Sequence, residues 1–302
     1  MFNLKSPILL ILFCGCFFPL KSQTEIDGLF MGKRNICGGF VYGQSQWQKY
    51  WEGDYLRTNE NIGQLKSRQM SFMANYGFTS KTNLILSTSY IQNFTTKGTL
   101  LEQKGFQDAN LFLKHELWAK NINGFLTSLV AVAGVSTPIS NYVVDYLPLS
   151  IGSGARTASM RFLMDIQKRD YFLTLSSSYI ARSTITIDRN SYYTDRLIYS
   201  NQVVLPNLWN HNIRLGYRPS PDNYVEFTGE FNNSIGGFNI RKNDMPFPSN
   251  EMDMVRIGLS GKKEIIKNKG FSAIGGLTQT VYGKNVGKSF SWYSGLVYQY
   301  EF

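Results

Sequence analysis

The sequence predicts an all-β chain, an antiparallel transmembrane β-barrel of about 12 strands with both termini periplasmic. Three observations lead there. Apolar and polar residues alternate along segment after segment, which puts them on opposite faces of a strand. The connections between those segments alternate between long and short. After the amino terminus no run approaches the roughly 18 apolar residues of a membrane helix, so a chain that crosses a membrane must do so with strands.

Composition agrees. A chain of 302 residues would make about two soluble domains, but all-β barrels reach this size as one. Charged side chains are only 17% of residues, against about 25% in an average soluble protein, and aromatics are 15%.

The amino terminus reads as an export signal over residues 1–22: Lys5, an apolar core from Pro7 to Phe18, then Pro19-Leu20-Lys21-Ser22 before a polar stretch. Cleavage is expected after Ser22. An anchoring helix and lipidation at Cys16 are the alternatives; the apolar run is short for the first and continues past Cys16 through Phe17 and Phe18 against the second. Losing this segment removes Cys14 and Cys16, so Cys37 has no intramolecular partner. The charge falls from +10 to +8 because Lys5 and Lys21 go with it. The remaining cations are scattered singly, which argues against nucleic acid and for contacts with loops, lumen, outer-membrane lipid and lipopolysaccharide.

Residues 23–35 carry no pattern and read as a short tail or a small plug, leaving 36–302 for the barrel. The first strand, 36–51, is Gly-rich and ends in Trp47, Tyr50 and Trp51, aromatics suited to the headgroup zone. The second runs from residue 66 to the turn Thr79-Ser80-Lys81, with Met70, Phe72, Ala74 and Tyr76 opposite Gln69, Ser71, Met73 and Asn75. Strand 82–94 follows. In 106–118 the division is clearest: Ala109, Leu111, Leu113 and Leu117 against Asp108, Asn110, Lys114 and Glu116. Asn121-Ile122-Asn123-Gly124 carries turn chemistry and opens strand 125–137. A long loop leads to 155–167, where Ala158, Met160, Phe162, Met164 and Ile166 oppose Thr157, Ser159, Arg161 and Asp165. Strand 171–184 is followed by the longest loop.

Strand 202–218 contains Pro206, which cannot donate to a ladder. Its second half sets Trp209, Ile213, Leu215 and Tyr217 against Asn210, Asn212 and Arg214. After the turn at Pro219–Asn223, strand 224–237 sets Val225, Phe227 and Phe231 against Glu226, Thr228, Glu230 and Asn232. The last three strands are 251–263, 270–282 and 289–302, the middle connection falling near Lys267.

Charges keep to the polar face of the clear strands. A lipid-facing exterior demands this, since Lys or Arg facing lipid at mid-depth costs about 2 to 4 kcal/mol. Lys114, Glu116, Arg161, Asp165, Arg214, Glu226, Glu230 and Arg256 are therefore the candidate lumen-lining groups. With mixed signs in a narrow barrel they either pair across it or form a charge-selective constriction. A soluble barrel or sandwich also alternates, but its polar face would carry more Lys and Glu than the Asn, Ser and Thr found here.

Catalytic signals are poor. His115 and His211 both fall on apolar parity, where a packed or interfacial ring is the ordinary role. Paired metal-ligand spacings, a Gly-x-Ser-x-Gly elbow and phosphate-loop patterns are absent, so no catalytic residue, cofactor or metal is expected. A lipase that pairs His with Ser on a neighbouring strand is the third, enzymatic, alternative, after a non-conducting structural or partner-binding barrel whose Tyr-rich loops at 142–146 and 192–199 hold a partner.

Two resemblances bear on function. In 289–302, Phe290, Trp292, Leu296, Tyr298, Tyr300 and Phe302 alternate with polar or small residues. This segment resembles the closing strand of bacterial outer-membrane barrels, which implies that Phe302 is an assembly signal for the barrel-assembly machinery. Residues 76–86, Tyr-Gly-Phe-Thr-Ser-Lys-Thr-Asn-Leu-Ile-Leu, then 108–117, Asp-Ala-Asn-Leu-Phe-Leu-Lys-His-Glu-Leu, with Thr137-Pro138 and Gly152-Ser153-Gly154, resemble the outer-membrane family named for the MetA pathway of phenol degradation, within the FadL-like transporter superfamily. The likeness covers about residues 38–183 and departs from the family pattern at Gln107 and at Ile139-Ser140. It implies a passive channel for small hydrophobic or aromatic compounds in the outer membrane of a Gram-negative bacterium.

Overall fold

The computed structural model describes residues 24–242, 244–266 and 270–300. The expected signal segment with Cys16, the turn at Lys267, and Glu301 and Phe302 lie outside them. Twelve long strands form the wall: β1 Ile36–Trp47, β2 Leu65–Thr79, β3 Thr82–Thr95, β4 Asp108–Ile122, β5 Phe125–Pro138, β6 Thr157–Lys168, β7 Tyr171–Arg182, β8 Asn207–Ser220, β9 Asn223–Ile235, β10 Asp253–Ile266, β11 Phe271–Lys284 and β12 Phe290–Tyr300. Each pairs antiparallel with its neighbours in sequence, and β1 pairs with β12 from Ile36↔Tyr300 to Gln46↔Phe290. That last ladder closes the sheet and removes both edges. The predicted fold class and strand number are those observed.

The boundaries differ where local chemistry overrides the pattern. β8 begins at Asn207 rather than 202 because Pro206 has no N–H; its carbonyl instead accepts from Arg182 Nε at 2.5 Å. β1 ends at Trp47, and Lys49–Glu52 folds back on Tyr55–Thr58 as a separate hairpin whose left-handed corner is Gly53 (φ 57°). Trp51 is therefore buried under a loop, near the Tyr282 ring, and not at a strand end in the headgroup zone. β4 runs on to Ile122. A bulge between Glu116 and Trp118 leaves both Leu117 and Trp118 facing outward, and the hairpin closes through Asn123 and Gly124, both at positive φ. Gln103–Phe106 precedes β4 as a short strand on β3, and Gln107 N still donates to Ser89 O at 2.9 Å, so the ladder is continuous across the break.

The wall is inverted relative to a soluble barrel. Leu113 is 47% exposed while its neighbour Lys114 is fully buried, and the same parity holds for Phe72 against Asn75, Phe162 against Asp165, Phe227 against Glu226 and Tyr298 against Gln299. The apolar band is on the outside and the polar lining is enclosed. Ile36 and Tyr300 stand opposite each other at the end that carries the short turns. The other end carries long loops, of which 138–156, 183–206 and 236–252 pack Val144, Ala155, Ile185, Ile187, Val203, Leu205 and Phe247 into one apolar cluster.

Candidate functional site

Residues 24–35 run inside the barrel, in the half nearer the short turns. The segment is joined to the wall by main chain at its end: Arg34 N donates to Gly77 O at 2.7 Å, and Gly77 N donates to Asn35 O at 3.0 Å. Gly77 has no room for a side chain, since a Cβ there would lie 2.1 Å from Gly32 O. Met31 then packs with Cys37 and Val297, and Phe30 lies against the inward patch of Val130, Val132 and Leu163.

Further in, the segment is held by charge. Lys114 Nζ donates to Asp27 Oδ1 at 2.9 Å, to Thr24 O at 2.8 Å and to Leu29 O at 2.8 Å, and sits 4.9 Å from the centre of the Phe30 ring. All three ammonium protons are thereby used. The second Asp27 oxygen accepts from Thr24 N and Oγ1, and Leu29 N donates to Oδ1, an Asx-type turn that shapes the segment around its own carboxylate. Burial pushes the Asp27 carboxyl up, but the Lys114 ammonium and Arg214 outweigh it and hold it below its usual value. Gly28 lies so close to the wall that a Cβ would meet Asp165 Cγ at 2.3 Å.

The sequence-predicted lumen residues share the inward parity of their strands, and all but Glu116 fall into two groups. Around the segment, Arg214 grips Glu226 in bidentate fashion, at 3.0 and 2.6 Å, and Ser260 Oγ donates to the same carboxylate at 2.6 Å. Asp165 accepts from Arg218 Nη2 at 2.8 Å and from Thr174 Oγ1. Toward the long loops, Arg161 donates to Ser176 at 3.0 Å and to Asn210 at 2.7 Å, Asn210 donates to Glu230 at 3.1 Å, and Arg256 donates to Glu230 at 3.0 and 2.5 Å. Glu116 is apart from both, 3.5 Å from Lys81 at the short-turn rim. Along the wall, Arg214 meets Glu226, Arg218 meets Asp165 and Arg256 meets Glu230 at hydrogen-bond distance, while Arg161 bonds the neutral Ser176 and Asn210 and Lys114 pairs with Asp27 of the inner segment.

Sequence reasoning missed Asp27, the acid that pairs with Lys114 from outside the strand pattern, and Arg218, the last residue of the predicted strand 202–218, on the same parity as Arg214. It also missed Lys262, which reaches Asp222 of the turn between β8 and β9 at 2.5 Å. The cue for Lys262 and Arg218 was inward parity carried to the strand ends. For Asp27 the only cue was an acid inside an otherwise unpatterned stretch.

Both histidines are on the outer face. His115 shares a hydrogen bond of 2.9 Å with Thr82 Oγ1, and the His211 ring stacks on Trp209 at an interplanar angle of 6°. Ser177 stands across from His211 on one side and Phe231 on the other, so its two ladder partners supply no acid to the ring. Among the described residues no group of His, Cys, Asp or Glu could hold a metal.

At the rim, two cavities open between the longest loops. One, of about 640 Å³, is bordered by Tyr192, Val204, Leu205, Ile235 and Phe238; the other, of about 250 Å³, by Tyr192, Tyr193, Phe247 and Arg241. Arg241 lies 4.2 Å over the Tyr193 ring, and Tyr192 stacks on Phe247.

Comparison with solved structures places the architecture. The COG4313 outer membrane channel from Pseudomonas putida F1 matches over 92% of this chain and 99% of its own, with a TM-score of 0.72 at 12% identity. The translocator domain of the autotransporter NalP from Neisseria meningitidis matches over 91% of each chain, with a TM-score of 0.45 at 11% identity. The CymD monoaromatic hydrocarbon channel covers 90% of this chain and 89% of its own, with a TM-score of 0.40 at 9% identity. No family model and no curated protein matches the sequence. The fold is that of an outer-membrane β-barrel.

Proposed function

We propose that this chain is an outer-membrane channel that passes small hydrophobic or aromatic solutes without an energy source, with residues 24–35 as an internal stopper. The observation that carries this reading is that a separate segment, residues 24–35, fills the short-turn half of the lumen together with the wall's own side chains. A structural barrel closes its interior with side chains of its own strands. Here the seal in the short-turn half comes from a stretch anchored by two main-chain bonds at Gly77 and one buried ion pair at Lys114. Removing it leaves a polar-lined passage in which Arg214 with Glu226, Arg218 with Asp165 and Arg256 with Glu230 stay paired and Lys114 alone loses its counter-charge, a lining of mostly balanced charge that admits uncharged solutes.

The solute class rests on two supports. The resemblance of residues 76–86 and 108–117 implies hydrophobic or aromatic compounds. The rim cavities add aromatic and aliphatic side chains such as Tyr192, Phe238 and Leu205, set among polar and charged ones such as Asp145, Arg189 and Asp195. In this reading the export signal is removed, the short turns and both termini lie in the periplasm, and the loops face outward. The shared architecture with a protein described as an outer membrane channel supports the same assignment.

The test is passage. Full-length protein and Asp27→Ala are compared in planar bilayers and in liposomes challenged with small aromatic solutes. The wild type is expected to pass solute slowly and the variant several-fold faster. No passage by either protein would sink the channel reading and leave the structural one.

A further inference from the structure

Most of the outer wall is apolar, but one patch near the long loops is not. Lys66 and Arg68 lie two residues apart on β2 and share the outward face of Met70 and Phe72. Gln46 and Gln44 of β1 stand across from them on one side, Phe94 and Gln92 of β3 on the other, and Phe290 and Trp292 of β12 lie beyond β1. Of these, Gln44, Gln46, Lys66, Arg68, Phe94, Phe290 and Trp292 border a cavity of about 190 Å³ on the outside of the barrel. Toward the short turns the same columns become Tyr42 and Phe40, Met70 and Phe72, and Leu296. The two cations therefore sit one or two residues beyond the edge of the apolar band, at headgroup depth.

Neither cation is held in a direct ion pair, although Arg68 feels the Glu102 carboxylate at longer range. Among the described residues no ion pair involves Lys66 or Arg68, and Arg68 lies 5.0 Å over the Phe94 ring. The neighbouring carboxylate, Glu102, is occupied by Gln92 and Lys104, each at 3.0 Å. Two like charges about 7 Å apart on one strand face repel each other unless an anion bridges them. A phosphate has the oxygens to do so, and an aromatic floor leading down to Phe40 and Phe72 suits the chains attached to it. We propose that this groove binds the phosphate-bearing headgroup of a lipid in the leaflet on the long-loop side, with its acyl chains lying along the apolar columns below. The proposal rests on the membrane position assigned under Proposed function.

The experiment is native mass spectrometry of the full-length protein released from vesicles containing a bis-phosphorylated glucosamine glycolipid or its dephosphorylated form. The wild type is expected to retain the phosphorylated lipid preferentially. Lys66→Gln/Arg68→Gln should retain about 30-fold less, from about fivefold per surface cation. Lys120→Gln/Lys263→Gln, which removes two outward charges at the short-turn end, should retain as much as the wild type. Equal retention of the two lipids, or equal loss in both double variants, overturns the proposal. So does displacement by millimolar inorganic phosphate, which would make this a site for the free anion. Solute passage is measured on the same proteins: if it fails in all of them while retention depends on phosphate and on Lys66 and Arg68, the channel reading is lost and the lipid site stands.

Discussion

Two ion pairs in this lumen share a chemistry and differ in consequence. Lys114 and Asp27 are 2.9 Å apart with side chains 0% and 8% exposed, and they join the wall to a segment that is not part of it. Arg256 and Glu230 are 2.5 Å apart, 33% and 26% exposed, and they join adjacent strands already zipped by main-chain bonds. The first pair decides where a segment sits. The second tunes the polarity of a surface whose geometry is settled without it. Breaking a buried pair strands a charge in low dielectric, whereas water can replace the lost partner of an exposed one.

The largest expected effect follows directly. Asp27→Ala leaves Lys114 buried without its counter-charge, which costs about 3 to 5 kcal/mol and should release the segment. Limited proteolysis near Glu25 would read this as rapid cleavage, with the barrel itself still resistant to heat in detergent. Protection equal to the wild type would mean that the main-chain bonds at Gly77 suffice. Gly28→Val should displace the segment by sterics alone, at about 1 to 3 kcal/mol for overpacking against Asp165, and the same assay ranks it below Asp27→Ala.

Acid sharpens the contrast further. The Asp27 carboxyl is held below its usual 3.8, so its contribution is fully present above that value and is lost as pH falls through the lowered one. Segment protection should therefore be flat from neutral pH down to about 4 and fall only below it. A fall between pH 6 and 5 would contradict the pairing. The smallest effect belongs to Glu230→Gln, expected to change barrel stability by no more than about 1 kcal/mol in urea unfolding, because the pair is partly solvated and Asn210 and Asn232 can still bond the amide.

Much of the wall was legible because a barrel in lipid makes each strand report its environment every second residue. Leu111, Leu113 and Leu117 against Lys114 and Glu116 suffice to assign inside and outside once the chain is known to cross a membrane. Turn chemistry at Asn123-Gly124 was legible for the same local reason. Pro206 announced a break but not which side of it the strand lay on. The hairpin at Lys49–Glu52 was hidden because Trp47, Tyr50 and Trp51 look like a continuing strand, and only the Gly53 corner and the packing of Trp51 near Tyr282 separate them.

By itself, then, the sequence determined the number of strands, their polarity and the face each charge occupies, since these follow from a two-residue period and a single solvent boundary. Tertiary structure alone decided which charges meet. Asp27 and Lys114 are 87 residues apart and Arg214 faces both from another strand, and no local pattern encodes a contact made by closing a sheet around an unpatterned segment. The wall is written residue by residue; what fills it depends on where the closed wall leaves room.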